Sequence, residues 1–137
     1  MNSIGCEVGN HSYTHANLGR SSSKKIRSEI KKTNSKVKAI TKTNPVLMRP
    51  PYGSVSKTLK SKAGMPLIMW SIDTLDWKTK NSQKTINKVM KNVKDGDIVL
   101  MHDIHSATIT AGVKLIPKLK KKGYELVTVS ETAAIKG

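Results

Sequence analysis

The stretch Ile98-Val99-Leu100-Met101-His102 decides the fold. Its first four residues are apolar, and this pattern is typical of a short strand that is buried on both faces of a parallel sheet. A histidine follows directly. In parallel α/β folds, the carboxyl ends of the strands form the edge at which active sites are built. The stretch therefore predicts a buried parallel strand that ends at a candidate functional residue, His102.

Strand and helix signals alternate on either side of this strand. Short apolar segments are separated by longer segments in which apolar residues recur every three or four positions among lysines. We expect helices at residues 21–43, 54–63, 82–92 and 109–122, further strands at residues 7–9, 46–48, 66–70 and 126–129, and a polar loop at residues 71–81. The alternation indicates an α/β fold with parallel strands in a sheet or barrel.

The same spacing predicts the buried faces of the helices. Residues three or four positions apart lie on one face of a helix. We expect the inward side chains to be Ile26, Ile30, Val37 and Ile40 in the first helix and Val113, Ile116 and Leu119 in the last. Ser22 or Ser23 should cap the first helix, because a serine hydroxyl accepts a hydrogen bond from a backbone N–H of the first turn.

Composition limits the class of protein. A length of 137 residues predicts one domain, and the absence of phenylalanine predicts an aliphatic core. The net charge of +16 indicates attraction to polyanions, but the lysines are spread over several segments, which is typical of solvated helix faces. Cys6 is the only cysteine, so no internal disulfide forms. The sequence contains no apolar run of about 18 residues that would predict a membrane span.

Four loops after predicted strands carry reactive side chains, at residues 9–15, 49–53, 70–77 and 100–105. His11 and His15 have a spacing that lets both imidazoles bind one metal ion. Each loop also has a simpler interpretation. The two histidines are compatible with a surface helix pair, Arg49 with a structural salt bridge, His102 with a buried strand end, and Asp73 with a helix cap.

In this order, the four loops resemble those of the polysaccharide deacetylases of the NodB-homology type, a metal-dependent carbohydrate esterase family. The family pattern H-[S/T]-x-x-H matches residues 11–15, R-P-P-Y-G matches 49–53, D-x-x-D-W matches 73–77 and L-x-H matches 100–102. The resemblance extends from Ile4 to Ser130. It implies that residues 1–137 are a partial domain of this family, an incomplete (β/α)7-type distorted barrel with parallel strands whose N-terminal strands are missing.

The resemblance implies a role for each matching residue. His11 and His15 correspond to ligands of a divalent metal, for which zinc is the first expectation. Arg49 corresponds to the residue that orients the catalytic base. His102 corresponds to the catalytic acid, and Asp76 to the carboxylate that tunes it. The implied reaction is hydrolysis of N-acetyl groups on a peptidoglycan- or chitin-like polysaccharide, which releases acetate and leaves a free amino sugar.

Three further residues match the family's substrate contacts. The backbone N–H of Tyr52 corresponds to the oxyanion donor, Trp77 to a wall of the sugar groove, and Leu100 to the apolar pocket for the acetyl methyl group. Neither Asp73 nor His105 receives a role from the resemblance.

One family motif is absent, because the sequence contains no Asp-Asp pair and hence no T-F-D-D-G. In the family, the first aspartate of this motif is the catalytic base and the second is the third metal ligand. We therefore expect Met1 to be an internal methionine of a longer domain of which this is the C-terminal portion. The chain alone should bind metal weakly and be impaired or inactive.

Other functions and partners follow from the same features. A non-catalytic remnant or glycan-binding module would keep the Trp77 groove, whereas a basic nucleic-acid-binding protein would leave the four motifs unexplained, and we expect no nucleic acid. Expected partners are the N-acetylated glycan, an upstream fragment of the same domain, or a second copy of the chain. The family implies the cell envelope, while the lack of a signal peptide would leave the chain cytoplasmic.

Overall fold

The computed structural model describes the backbone of residues 5–136 and the side chains of residues 5–133. The described residues form two compact units, the first ending at Met69 and the second beginning at Trp70. The expectations that concern Met1 and Ile4 lie outside the described residues. Within the described part of the chain, every helix is too short or too polar to span a membrane.

Helix α1 (Ser23–Thr41) is the largest element of the first unit. Ser22 caps it, as expected, because its hydroxyl accepts a hydrogen bond of 3.3 Å from the Lys25 N–H. The buried face is confirmed at Ile26 and Ile30, which are 0% and 6% exposed. These two side chains anchor the N-terminal half of the helix in the core.

Helix α2 (Lys57–Lys62) packs against α1. The Ser56 hydroxyl caps it by accepting a hydrogen bond of 3.1 Å from the Leu59 N–H. Leu59 is fully buried, and burial of such a side chain contributes about 2 kcal/mol. The core of the first unit consists of Leu18, Ile26, Ile30, Met48, Leu59 and Ala63.

Three short segments of the first unit pair in parallel. Met48 forms one bridge with Asn10 and another with Leu67, so it is the middle member. The Asn10 N–H donates to the Leu47 carbonyl and the Met48 N–H donates to the Pro66 carbonyl, both at 2.9 Å. The segments expected to be strands at residues 46–48 and 66–70 are therefore parallel neighbours that pair through a single residue, and the third member, Asn10, directly follows the strand expected at residues 7–9.

The second unit contains a two-stranded parallel sheet of β1 (Ile72–Asp73) and β2 (Val99–Leu100). Ile72 lies opposite Val99, so the two strands run in register without a bulge. Parallel strands need a crossover connection, and helices occupy it here. The strand expected at residues 98–101 is thus confirmed in its central part.

Helices α3 (Asp76–Thr79) and α4 (Ser82–Asn92) form the crossover, and α5 (Ser106–Lys121) follows β2. Helix α4 begins and ends at the expected residues. It packs against α5, and the core between them consists of Ile86, Val89, Ala111, Leu115 and Leu119. Helix α6 (Val129–Lys136) ends the described chain.

Two element predictions are wrong. Residues 126–129 do not form a strand; residues 124–128 have no regular structure and α6 begins at Val129. The Thr128 hydroxyl and the Glu131 carboxylate exchange hydrogen bonds with each other's backbone N–H, and this mutual cap starts a helix. Residues 71–81, expected to be a polar loop, contain β1 and α3.

Two helix faces also differ from expectation. In α5, Val113 and Ile116 are 68% and 49% exposed, because the buried face is shifted to the smaller residues Thr108 and Ala111, which allow close packing. In α1, Ile40 is 79% exposed. The core thus covers only the first half of the apolar stripe of that helix.

Two glycines provide a matched test of this packing. A Cβ on Gly19 would lie 2.7 Å from the Ser54 carbonyl carbon, whereas a Cβ on Gly112, inside α5, would meet only the Met101 methyl at 4.0 Å. We expect Gly19→Ala to destabilise the chain by about 1–3 kcal/mol through overpacking. Gly112→Ala should stabilise it by about 0.5–1 kcal/mol, since alanine favours helix.

Urea unfolding followed by circular dichroism measures both effects. An unchanged transition midpoint for Gly19→Ala would contradict the close approach of the Leu18–Arg20 turn to Ser54.

Candidate active-site groups

The loops that carry the sequence motifs have strained backbones. The non-glycine residues of these loops with positive φ are Ser12, His15, Tyr52 and Leu75, at 62°, 57°, 60° and 55°. Left-handed conformations cost roughly 1–3 kcal/mol for such residues and persist only where the surroundings impose them. The other described cases, Lys42 and Lys80, are ordinary C-terminal caps of α1 and α3. Among the described non-glycine residues, strain outside the helix C-terminal caps therefore lies in the loops that carry the motifs, and two of the strained residues, His15 and Tyr52, are predicted site residues.

The two motif histidines lie side by side. The ring centroids of His11 and His15 are 4.9 Å apart, in an edge-on arrangement. His11 Nδ1 lies 2.6 Å from the Arg49 carbonyl oxygen. A carbonyl only accepts, so Nδ1 carries the proton and the lone pair of the neutral ring is on Nε2. A backbone carbonyl that fixes the tautomer in this way is typical of metal-binding histidines.

His15 contacts the loop at residues 49–53. Its Nδ1 lies 3.2 Å from the Tyr52 hydroxyl, and the two ring centroids are 4.7 Å apart. A phenol can donate or accept, so this contact is compatible with both tautomers of His15. Tyr52 itself is 69% exposed.

The histidine pair provides part of the ligand set that a metal ion needs. Two neighbouring imidazoles at this distance suit two positions of a tetrahedral zinc site, which needs at least three protein ligands. Among residues 5–136, no group of three or more histidine, cysteine, aspartate or glutamate side chains is arranged to hold a metal ion. The described residues therefore fit the metal as two of its ligands.

Arg49 joins this cluster through its backbone. Its N–H donates to the Asn10 carbonyl at 2.9 Å, and its own carbonyl accepts from His11. The guanidinium donates through Nη2 to the Met69 carbonyl at 3.3 Å. Burial lowers the pKa of Arg49 below its usual value. The first unit thus brings together His11, His15, Arg49 and Tyr52.

Glu29, which belongs to none of the sequence motifs, holds the histidine loop. Its side chain is 2% exposed, and its carboxylate accepts hydrogen bonds from the Tyr13 N–H at 2.9 Å and the Thr14 N–H at 2.7 Å. It also accepts from the Thr14 hydroxyl and pairs with Lys25 at 3.0 Å. Burial raises the pKa of Glu29, but these hydrogen bonds outweigh it and lower the pKa to about 2.

The second unit contains a buried acid beside the other motif histidine. Asp76 is 1% exposed, and its Oδ1 lies 2.9 Å from His102 Nδ1. Its Oδ2 accepts from the His102 N–H at 2.6 Å and from the Thr108 hydroxyl at 2.8 Å. Burial raises the pKa of Asp76, but the hydrogen bonds from His102 and Thr108 outweigh this effect and lower the pKa to about 2. Asp76 is therefore ionised at neutral pH, and His102 Nδ1 donates to it.

The other motif residues of the second unit differ in their exposure to solvent. Leu100 is 7% exposed, and its carbonyl accepts from the Thr74 hydroxyl at 2.8 Å. Trp77 is 49% exposed in the first turn of α3. The Asp73 carboxylate accepts from the Leu75 N–H at 2.9 Å, which is the capping interpretation of that residue.

His105 precedes the first residue of α5 and makes no side-chain cap. Thr108 lies in the first turn of the same helix, and no sequence signal distinguishes it from other threonines.

Comparisons with known proteins match nearly the whole chain. The sequence model of a family described as polysaccharide deacetylase matches residues 1–68. The structure of peptidoglycan deacetylase PdaC from Bacillus subtilis superposes with a TM-score of 0.96 at 38% identity, covering 99% of this chain and 67% of that one. A family 4 acetyl xylan esterase from Clostridium thermocellum, solved with cobalt, gives 0.93 at 32% identity, covering 100% and 68%.

The chain belongs to the polysaccharide deacetylase family. Its α/β class agrees with the expectation from the alternating strands and helices. The chain is also 43% identical over 127 residues to peptidoglycan-N-acetylglucosamine deacetylase PgdA of Listeria monocytogenes. That match covers 93% of this chain and 27% of the relative, so the chain spans about a quarter of that protein.

A pH-dependent contribution to stability follows from Asp76. Folding lowers its pKa from the ordinary 3.8 to about 2, so ionisation favours the native state. This contribution is complete above about pH 4 and is lost as the pH falls towards 2. We expect Asp76→Asn to destabilise the chain by about 1–3 kcal/mol at pH 7 and to flatten the stability profile between pH 4 and 2.

Urea unfolding at several pH values, followed by the fluorescence of Trp70 and Trp77, measures this effect in the second unit. Asp95→Asn is the matched control, because Asp95 is exposed. An equally steep profile for Asp76→Asn and the parent chain would refute the assignment.

Proposed function

We propose that this chain provides the metal-binding and acid groups of a polysaccharide N-deacetylase, which hydrolyses N-acetyl groups on a peptidoglycan- or chitin-like glycan. The observation that carries the proposal is the His11–His15 pair, in which the Arg49 carbonyl sets the tautomer of His11. This arrangement exposes a ring nitrogen with a lone-pair orbital of the kind that divalent metals bind. Relatives named as peptidoglycan deacetylases support the substrate class.

The first unit would act on the carbonyl of the acetamido group. A bound divalent metal, zinc being the first expectation, supplies Lewis acidity that an amide, a poor electrophile, requires. His11 and His15 would hold it. The Tyr52 N–H would donate to the oxyanion, and the rings of Pro50 and Pro51 restrict the backbone of the turn that presents it.

The second unit would protonate the leaving amine. His102 is suited to this because Asp76 accepts from its Nδ1, which leaves Nε2 as the nitrogen that delivers a proton. The two bonds from His102 to Asp76 also fix the orientation of the His102 ring. Trp77 offers an exposed indole face for a sugar ring, and Leu100 an apolar contact for the acetyl methyl group.

We infer that the parallel segments of both units belong to a (β/α)7-type distorted barrel, because the deacetylase structures overlap nearly the whole chain. The catalytic base and the third metal ligand would come from a T-F-D-D-G segment, which the 137 residues do not contain. The peptidoglycan deacetylases among the relatives support a site of action at the cell envelope.

A fusion tests the proposed reaction. A segment that carries the family's T-F-D-D-G motif is joined to the N-terminus of the chain, and acetate release from N-acetylglucosamine oligomers is measured with zinc. We expect turnover by the fusion and a loss of at least about 100-fold in His102→Ala, since general acid catalysis contributes 10²–10⁴-fold.

The fusion in which both aspartates of the motif are replaced by asparagine is the matched control and should be inactive. A folded, metal-loaded fusion that releases no acetate would rule the reaction out.

Metal affinity gives a second test on the chain alone. Two neutral imidazoles provide too few ligands and no negative charge, so we expect the 137-residue chain to bind zinc at least about 100-fold more weakly than the fusion. Isothermal titration calorimetry measures both affinities, and His15→Ala should abolish binding to the chain. Tight, stoichiometric binding by the parent chain at His11 and His15 would contradict the two-ligand assignment.

A non-catalytic glycan-binding module is the second candidate. The absence of an Asp-Asp pair and the exposed Trp77 favour it for the chain alone. It predicts that the chain binds N-acetylglucosamine oligomers without releasing acetate, and that Trp77→Ala removes the binding. The same titration in the fusion separates the two functions, because only the deacetylase converts the bound glycan.

A further inference from the structure

We propose that Glu29 is the positioning residue of the histidine pair. Its buried carboxylate holds the backbone between His11 and His15 in the strained conformation that brings the two imidazoles together. This inference rests on the proposed function for its purpose, which is metal binding. The geometry itself stands on contacts within the first unit.

The contacts lie strictly between the two histidines. Glu29 Oε2 accepts from two consecutive backbone amides, those of Tyr13 and Thr14, at 2.9 and 2.7 Å. Oε1 accepts from the Thr14 hydroxyl at 3.0 Å. Consecutive N–H groups that converge on one anionic oxygen form a short concave turn, and an ionised acceptor makes such bonds about twice as strong as neutral ones.

The backbone needs this support because it is strained on both sides of the bonded amides. Ser12 and His15 have φ of 62° and 57°, on either side of Tyr13 and Thr14. A left-handed backbone is unfavourable for residues with a Cβ, and its cost has to be offset by bonds that hold this conformation. The three bonds to Glu29 meet that requirement.

The other end of the loop is tied to the same helix. Asn10, 1% exposed, accepts from the Ser12 N–H at 2.8 Å and donates to the Ile30 carbonyl at 3.1 Å and to Asn34 at 2.7 Å. The loop is therefore attached to α1 at two places: at Glu29 through the Tyr13 and Thr14 amides, and at Ile30 and Asn34 through the Asn10 side chain. The helix thus sets the distance between the two ends of the loop, and with it the separation of the rings.

Glu29 is not itself the missing metal ligand. Its two oxygens already accept from the Tyr13 N–H, the Thr14 N–H, the Thr14 hydroxyl and Lys25. The described histidine, cysteine, aspartate and glutamate side chains include no group of three arranged around a metal. Glu29 therefore acts through the loop backbone and not on the metal.

The central experiment compares Glu29→Gln with the parent 137-residue chain. Glutamine keeps the shape, and its one carbonyl oxygen can still accept from both loop amides, but it removes the ion pair with Lys25 and the negative charge that makes these bonds about twice as strong as neutral ones. We expect the nuclear Overhauser contact between the ring protons of His11 and His15 to weaken in the metal-free chain, because neutral bonds hold the strained loop less firmly. Cobalt(II) affinity, measured from the shifts of the same ring protons, should fall about 10–100-fold, the range for residues that orient metal ligands.

Two further variants separate positioning from folding. Lys25→Met removes the ion pair but keeps every bond to the loop, so it should preserve the ring contact and bind cobalt within about twofold of the parent. Thr14→Val removes one of the three bonds and keeps the carboxylate, so it should weaken cobalt binding by a smaller factor, about 2–5-fold. It tests the proposal even where Glu29→Gln fails to fold.

The outcomes distinguish this inference from the proposed function. A folded Glu29→Gln chain that keeps the ring contact and the cobalt affinity overturns the positioning role, as does an unchanged Thr14→Val. A parent chain that shows the ring contact but no cobalt shifts at His11 and His15 leaves the positioning role standing and refutes the metal site of the proposed function.

Discussion

The hydrogen bonds from the loop at residues 11–15 to the buried Glu29 carboxylate are the interaction on which the first unit depends. A buried carboxylate is costly unless it is fully bonded, and a left-handed backbone is costly unless it is held. Here one set of hydrogen bonds offsets both costs: the loop amides donate to the buried carboxylate of Glu29, and the carboxylate holds the loop in its left-handed conformation. The pKa of about 2 reflects this balance, since the bonds outweigh the burial.

The second unit uses the same principle at Asp76. Three donors, from His102 and Thr108, surround a carboxylate that is 1% exposed, and they also lower its pKa to about 2. The two acids differ in what they control. Glu29 fixes a backbone shape from which two rings project, whereas Asp76 contacts the ring of His102 directly and sets its tautomer.

The errors of the sequence prediction have local physical causes. The apolar residues 126–129 resemble a strand, but the Thr128–Glu131 cap starts a helix there. In α5 two faces are apolar, and periodicity alone cannot choose between them; the smaller side chains of Thr108 and Ala111 permit the closer packing. Helix α4 begins and ends at the predicted residues; it has a single apolar face, and the Asn81 side chain caps its first turn.

The sequence by itself determined the family, the α/β class and the motif residues, because these depend on residue types at short spacings. Only the tertiary structure revealed the roles of Glu29 and Thr108 and the tautomer of His11. Those depend on contacts between residues 15 to 38 positions apart, which no local pattern encodes. The sequence did contain one local signal at Glu29, because this acid lies on the same buried face of α1 as Ile26 and Ile30. That position predicts the burial of Glu29 but not the residues that bond to its carboxylate.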